Sequence, residues 1–424
     1  MPRGFMRKYT AVIPQLTVLS SIHLVPMTKD QTYPCPTLSL ASDPDGVFSP
    51  IEFLGKGGYG AIIYYASKDR PPIAVKFPLS DPPEKIVDRT QNIQFEARIM
   101  KLIPPHPNIV GLLFEGPYFF AMDVGGKPLS LILYQDFLRD PHTQAKIFLQ
   151  LAEALAFLHD LGIVHGDFSR GNILVDDNRR VHLCDFGSAT ETSPEKRSRV
   201  LQITSYPYRA PEIATMHVEF YKIYEQTLED SHNAPENNLF KGFVYTAKHC
   251  LKVVFNGFLF GFINNSDSIR ENILKAYNDL AHTYPNAFSE ITPQDTFTLI
   301  NRIFLLANQM VNHCSECQKK LGFPRHQSKI DTWALGLVGL EILRGQALAN
   351  PVGEGPIDRA LDHSAALTRL HAGLPTPGEL ANGFPPNCPA FFILCSLSPH
   401  ERPTAAEAVL HFKNKLSEYP VDSE

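Results

Sequence analysis

Residues 165–187 read HGDFSRGNILVDDNRRVHLCDFG, in which two of the carboxylates, Asp167 and Asp185, and the Asn172 amide stand where they can handle a metal-bound phosphate. Gly166 and Gly171 interrupt any helix, so Asp167 and Asn172 lie on a loop. Ile173-Leu174-Val175 and Val181-His182-Leu183 flank the turn Asp176-Asp177-Asn178 as the arms of a hairpin, which brings the loop and Asp185 to neighbouring strand ends. Asp and Asn oxygens are hard ligands of the kind magnesium takes, usually together with a substrate's phosphates. The stretch points to chemistry on a metal-bound phosphate.

Upstream, Ile51 to Ala66 alternates as two strands about Gly55-Lys56-Gly57-Gly58-Tyr59-Gly60. Glycines at these places let backbone amides approach phosphate oxygens with no side chain between. A strand follows the glycine loop, whereas in the dinucleotide-binding fingerprint a helix does. Ile73-Ala74-Val75-Lys76 is a β-branched strand with a single Lys able to point inward. A buried lysine needs a partner. Glu96, in the helical pattern Gln94 to Ile103, supplies one, and Glu84 is a further candidate.

These motifs, in this order, resemble those of the eukaryotic-type protein kinases, and the chain looks like a divergent serine/threonine member. HGDFSRGN stands where the family has its catalytic loop, and Asp185-Phe186-Gly187 matches its metal-binding motif. Tyr206-Pro207-Tyr208-Arg209-Ala210-Pro211-Glu212 resembles the end of an activation segment. Asp331-Thr332-Trp333-Ala334-Leu335-Gly336 resembles the start of the central helix of the large lobe, and Ser398 to Thr404 the closing motif. The resemblance covers residues 48 to 212 and 328 to 413. It implies an α+β, bilobal fold, with a small β-rich N-lobe over 47–124 and a helical C-lobe over 125–424.

The resemblance also implies roles. ATP and Mg2+ are the expected cofactors: Asp167 orients or deprotonates the acceptor hydroxyl, Asn172 and Asp185 hold the metal, and Lys76, paired with Glu96, positions the phosphates. Gly55, Lys56, Gly57, Gly58, Tyr59 and Gly60 cover the nucleotide, and Ile62, Ala74, Asp123 and Leu174 line its pocket. Tyr118 to Val124 is an apolar strand ended by Gly125-Gly126; Asp123 and Val124 begin the hinge, and Met122 or Phe120 guards the pocket. The apolar spacing of Thr143 to Gly162 predicts a helix closed by Gly162. Glu212 and Arg402 are expected to pair in the interior.

Two positions depart from the family pattern. Gly166 replaces the Arg that, in many relatives, binds a phosphorylated activation loop. Ser169 replaces the Lys that usually neutralises the γ-phosphate, and the adjacent Arg170 is the candidate to supply that charge. Ser205 stands where serine/threonine kinases place a hydroxyl that braces the catalytic Asp. A third difference is size. Most of 213–327 is an insertion whose segments Val218 to Thr227, Ala247 to Phe262, Ile269 to Thr283 and Pro293 to Cys317 have helical spacing, and a partner protein is expected to engage it. Cys314 and Cys317, with His249, Cys250 and His313, invite a zinc reading, with ordinary buried thiols the alternative.

Residues 1–46 read as an N-terminal extension, mobile or strand-like, rich in Pro, Ser and Asp. Arg3, Arg7 and Lys8 before an apolar run faintly resemble a signal sequence, but Pro14, Gln15, His23 and Pro26 interrupt the run. No stretch reaches the ~18 uninterrupted apolar residues of a membrane span. Hydrophobic content of 44% and charged content of 20% over 424 residues suit a sizeable core. A pI near 6.3 leaves no nucleic-acid footprint. Seven cysteines without framework spacing favour a reducing, intracellular compartment, cytoplasmic or nuclear. The expected function is ATP-dependent phosphorylation of serine or threonine on a protein. The alternatives are a pseudokinase that binds nucleotide and a partner, and a small-molecule kinase.

Overall fold

Alternating apolar residues in the first third of the chain build one seven-stranded sheet in the computed structural model. Its strands are β1 (Leu16–Thr28), β2 (Gln31–Leu40), β3 (Asp43–Lys56), β4 (Gly60–Ala66), β5 (Ile73–Pro78), β6 (Leu112–Glu115) and β7 (Phe120–Met122). They run in the order β1-β2-β3-β4-β5-β7-β6, each antiparallel to its neighbour. The two outer strands meet: Gln15 bridges Glu115, and the Glu115 N–H donates to the Pro14 carbonyl at 3.1 Å. The sheet thus curls into an open barrel whose two edges touch at this one point. Within the stretch read as an extension, Leu16–Thr28 and Gln31–Leu40 form two of its strands.

The structure describes residues 13–28, 31–57, 60–79, 86–192, 205–214, 218, 246–247, 249–251, 253–254, 266–288, 291–320, 328–348, 362, 394–396 and 399–417. Two compact units divide the chain, one of Met1–Leu161, Phe168–Ala189 and Ala405–Glu424, the other of Gly162–Asp167 and Thr190–Thr404.

The period of two sorts the barrel's residues. Ala61, Ile63 and Tyr65 of β4, Ile73, Val75 and Phe77 of β5, and Phe119 and Ala121 at β7 fill the interior, together with Leu16, Val25, Tyr33, Cys35, Leu38 and Leu40 from β1 and β2. The other face of β4, β5 and β7 carries Ile62, Ala74, Lys76, Phe120 and Met122. The register sets Lys76 opposite both Ile62 and Phe120, and Ala74 opposite Met122. Helix α1 (Ile86–Met100) packs on β5. It begins before the expected Gln94 because the polar run Asp88 to Asn92 hides its period.

The rest of the first unit surrounds residues 168–172. Helix α2 spans Leu129–Ile132, and α3 (Pro141–Asp160) is capped by the Asp140 carboxylate, which accepts the Thr143 N–H at 2.8 Å. Strands β8 (Lys127–Pro128), β10 (Ile173–Val175) and β11 (Val181–Leu183) form a small sheet in the order β11-β10-β8. The expected hairpin is present, with Leu174 opposite His182.

In the second unit β9 (Ile163–Val164) pairs with β12 (Thr190–Glu191). Helices α4 (Ser266–Thr283), α5 (Pro285–Phe288) and α6 (Pro293–Lys320) belong to the insertion. Ile269, Ile273, Ala276, Tyr277 and Leu280 are the buried stripe of α4. At the start of α6 the Asp295 N–H donates to Thr292 Oγ1 at 3.1 Å and the Thr292 hydroxyl donates to the Asp295 carboxylate at 2.6 Å, a reciprocal cap. Helix α7 (Lys329–Arg344) is buried from Ile330 to Ile342 and ends at Gly345 in the left-handed region. Helix α8 (Ala405–Ser417) returns to α3 in the first unit, with Phe412 against Phe148. Of the insertion segments, 219–227 and most of 247–262 lie outside the described residues.

Candidate active site

Lys76 stands on β5 with its side chain away from the barrel interior and only 7% exposed. Its ammonium donates to Glu96 Oε2 at 2.7 Å and to Asp185 Oδ1 at 3.2 Å. Burial pulls the ammonium pKa down, but the Asp185 and Glu96 carboxylates outweigh that and raise it above its ordinary value. Burial pushes Glu96 up to about 7 against the pull of Lys76, and the Phe186 N–H also donates to its carboxylate. Glu96 is thus the partner of the lysine, while Glu84 lies outside the described residues.

Asp185 is held in an unusual backbone. Its φ of 63° and ψ of 79° are left-handed, a region that among the described non-glycine residues only Arg179 shares. Asp visits it at modest cost, and such residues cluster at functional sites. The Gly187 N–H donates to Asp185 Oδ1 at 3.3 Å, and the Asp185 side chain is 41% exposed. Asn172 is placed beside this turn, since the Cys184 N–H donates to its carbonyl at 2.9 Å and its own N–H donates to that of Ser169 at 3.0 Å. Ser169 is buried and Arg170 half-buried, with the Arg170 carbonyl accepting from Ser130 N–H at 3.1 Å. Among the described residues no group of three or more His, Cys, Asp or Glu forms a metal cage. Magnesium carried by a nucleotide needs none, and one carboxylate with one amide suits it.

The glycine loop has room on one side and none on the other. A Cβ on Gly55 or Gly57 would meet no protein atom within 4 Å, whereas on Gly60 it would lie 2.8 Å from the Phe77 carbonyl and 3.2 Å from Lys76 Cγ. Gly60→Ala is therefore expected to displace β5 under Lys76 and lower the thermal midpoint, by roughly 1–3 kcal/mol as for other overpacked sites. Gly55→Ala should stay close to wild type, and equal midpoints for the two variants would contradict this. Gly58 and Tyr59 lie outside the described residues.

The other residues expected to line the nucleotide pocket belong to the same unit. Met122 and Phe120 both share the face of Lys76, with Met122 opposite Ala74. Asp123 is committed to Gly111, just before β6: its N–H donates to the Gly111 carbonyl at 3.1 Å and its carboxylate accepts the Gly111 N–H at 3.0 Å. Leu174 reaches under Gly125, where a Cβ would lie 2.8 Å from it. Leu54 is 46% exposed at a bulge of β3, beside Phe53, which packs on the core.

In the second unit, His165 and Gly166 donate their N–H groups to Asp331 Oδ2 and Oδ1 at 2.8 and 2.9 Å, and Asp331 is 1% exposed. Gly166 has φ +79°, which costs glycine nothing. The Asp167 N–H donates to His165 Nδ1 at 3.3 Å, and Asp167 Oδ1 accepts the Ser205 backbone N–H at 2.8 Å. The turn carrying Asp167 is thus tied at both sides. Sequence reasoning had placed Asp331 only at a helix start. The Arg402 guanidinium meets Glu212 through two bonds, at 2.7 and 2.5 Å, where both side chains are at most 2% exposed. Cys250 is buried, with its thiol pushed up to about 12 by burial and donating to the Ile273 carbonyl at 3.8 Å. The side chains of His313, Cys314 and Cys317 lie outside the described residues.

The protein kinase domain family matches residues 48–223. A serine/threonine-protein kinase-like protein of Arabidopsis thaliana is 29% identical over 182 residues, covering 39% of this chain and 53% of that protein. Protein kinase gsk31 of Schizosaccharomyces pombe is 32% identical over 185 residues, covering 39% and 45%. Mitogen-activated protein kinase mpkC of Aspergillus niger is 29% identical over 172 residues, covering 39% and 42%. The chain spans about half the length of these three relatives. No described helix is long and apolar enough to cross a membrane.

Proposed function

Since the chain belongs to the eukaryotic-type protein kinase family, we propose that it transfers the γ-phosphate of ATP to serine or threonine hydroxyls of a protein. The observation that carries this reading is the buried contact of Lys76 with Glu96 at 2.7 Å and Asp185 at 3.2 Å, an ammonium held between two carboxylates beside an open glycine loop. Such a cation neutralises nucleotide phosphates, and Glu96 keeps it from folding away. Asn172 and Asp185 would hold magnesium, which supplies charge neutralisation for the transferring phosphoryl group.

Asp167 receives the acceptor hydroxyl in this reading. The Ser205 N–H fixes its carboxylate and Asp331 fixes the two preceding amides, so the base is oriented before substrate arrives. Arg170 is assigned the charge that Ser169 lacks. Gly166 has no side chain to pair with a phosphorylated segment, so activity is proposed to need no such phosphate.

The test is incubation of the purified chain with γ-labelled ATP, magnesium and a basic acceptor protein, followed by phosphoamino-acid analysis. Label on phosphoserine or phosphothreonine is expected. Label on tyrosine alone would overturn the specificity, and magnesium-dependent ATP binding with no label would make the chain a binding module, the reading that Ser169 favours.

A further inference from the structure

We propose that the N-terminal strands β1 and β2 are the positioning element for Lys76, acting through a bond from Tyr33 to the end of β5. The proposal rests on the nucleotide reading above. A sheet that carries a nucleotide on one face ordinarily leaves its other face to water unless something covers it. Here the other face of β5 is sealed: Ile73, Val75 and Phe77 are at most 2% exposed against Leu16, Val25, Tyr33, Cys35, Leu38 and Leu40. Strand β2 pairs with β3 only over Leu38 to Leu40, so beyond that point side chains join the hairpin to the sheet.

Two buried phenols make the joint. Tyr33 Oη donates to the Pro78 carbonyl at 2.7 Å, and Tyr65 Oη of β4 donates to the Pro36 carbonyl at 2.8 Å, so β2 is tied into the barrel in both directions. The Tyr33 ring lies 6.4 Å from that of Phe77, which lies 5.1 Å from that of Phe119. Pro78 is the last residue of β5, two along from Lys76, and pairs with Gly60 of the glycine loop. One bond therefore braces the strand that carries the cation and the end of the loop that faces it. Burial pushes the Tyr33 phenol up to about 12, so it remains a donor at neutral pH. Removing the hydroxyl leaves the Pro78 carbonyl without that donor in a sealed interior.

The experiment uses the full chain as wild type, Tyr33→Phe and Val25→Ala, with the exposed Tyr134→Phe as control. Amide hydrogen exchange is read at Ile73–Phe77 and at the hairpin of β10 and β11, and affinity is read with a non-hydrolysable ATP analogue and magnesium. Tyr33→Phe is expected to speed exchange in β5 by about tenfold and to weaken analogue binding by a similar factor, leaving the β10–β11 hairpin unchanged. Val25→Ala, which keeps the bond but loosens the interior, moves both readings the same way by less. Unchanged β5 exchange, equal acceleration in both regions, or faster β5 exchange with unchanged affinity would overturn the proposal. A wild-type chain that does not bind the analogue would sink the kinase reading itself, and the positioning role with it.

Discussion

Lys76→Met lowers phosphate transfer by a hundredfold or more while the chain stays folded. The ammonium bridges Glu96 and Asp185 at 2.7 and 3.2 Å, and a fixed cation of this kind contributes most when charge moves onto the transferring group. Breaking a buried pair usually costs ~3–5 kcal/mol because one charge is left stranded. Here Glu96 is already pushed from 4.5 to about 7, and losing Lys76 removes the cation that held it down, so it takes up a proton near neutral pH. A folded-state pKa above the unfolded one gives stability present below about 4.5 and lost as pH rises through 7 and beyond. The variant should therefore melt higher at pH 6 than at pH 8. Transfer at the wild-type rate, or a melt indifferent to pH, would contradict the account.

Glu212→Ala lowers stability by ~3–5 kcal/mol, the cost of a buried charge without its partner. Arg402 is 1% exposed, lies 5.1 Å over the Trp333 ring, and donates to the Ser396 and Lys329 carbonyls as well as to Glu212. Replacing both members, as in Glu212→Leu with Arg402→Met, should cost less than Glu212→Ala alone, since no ion is left behind. Urea denaturation of the full chain reads the difference. A loss below about 1 kcal/mol for the single variant would place this pair with exposed ones.

The parts of the site that short-range pattern carries were legible in the sequence. The hairpin of residues 173–183, the glycine loop and Lys76 on its strand each need only neighbours within a few residues. Glu96 was legible because a buried lysine requires a carboxylate, although its helix began earlier than the pattern suggested. The barrel was not. Leu16 and Val25 point inward, but Ile22 and Leu24 between them are more than two-thirds exposed and Pro26, Pro34 and Pro36 break the alternation. The closing partner of Gln15 is Glu115, a hundred residues on. Asp331 accepts from His165 across 166 residues, a pairing no local period announces. The choice between Met122 and Phe120 depended on register against β5, which places both on the face of Lys76.

Asp167 is the group proposed to receive the acceptor's proton during phosphate transfer. The most direct test of that role sets wild type beside Asp167→Asn in labelled ATP, magnesium and a basic acceptor protein, with ATP affinity measured on the same preparations. Asn keeps the size of the side chain and an oxygen for the Ser205 N–H, which donates at 2.8 Å, so fold and affinity should stay near wild type. It cannot take a proton. Label transfer is expected to fall by a hundredfold or more, within the range general-base catalysis contributes. Equal labelling by the two proteins would contradict the account.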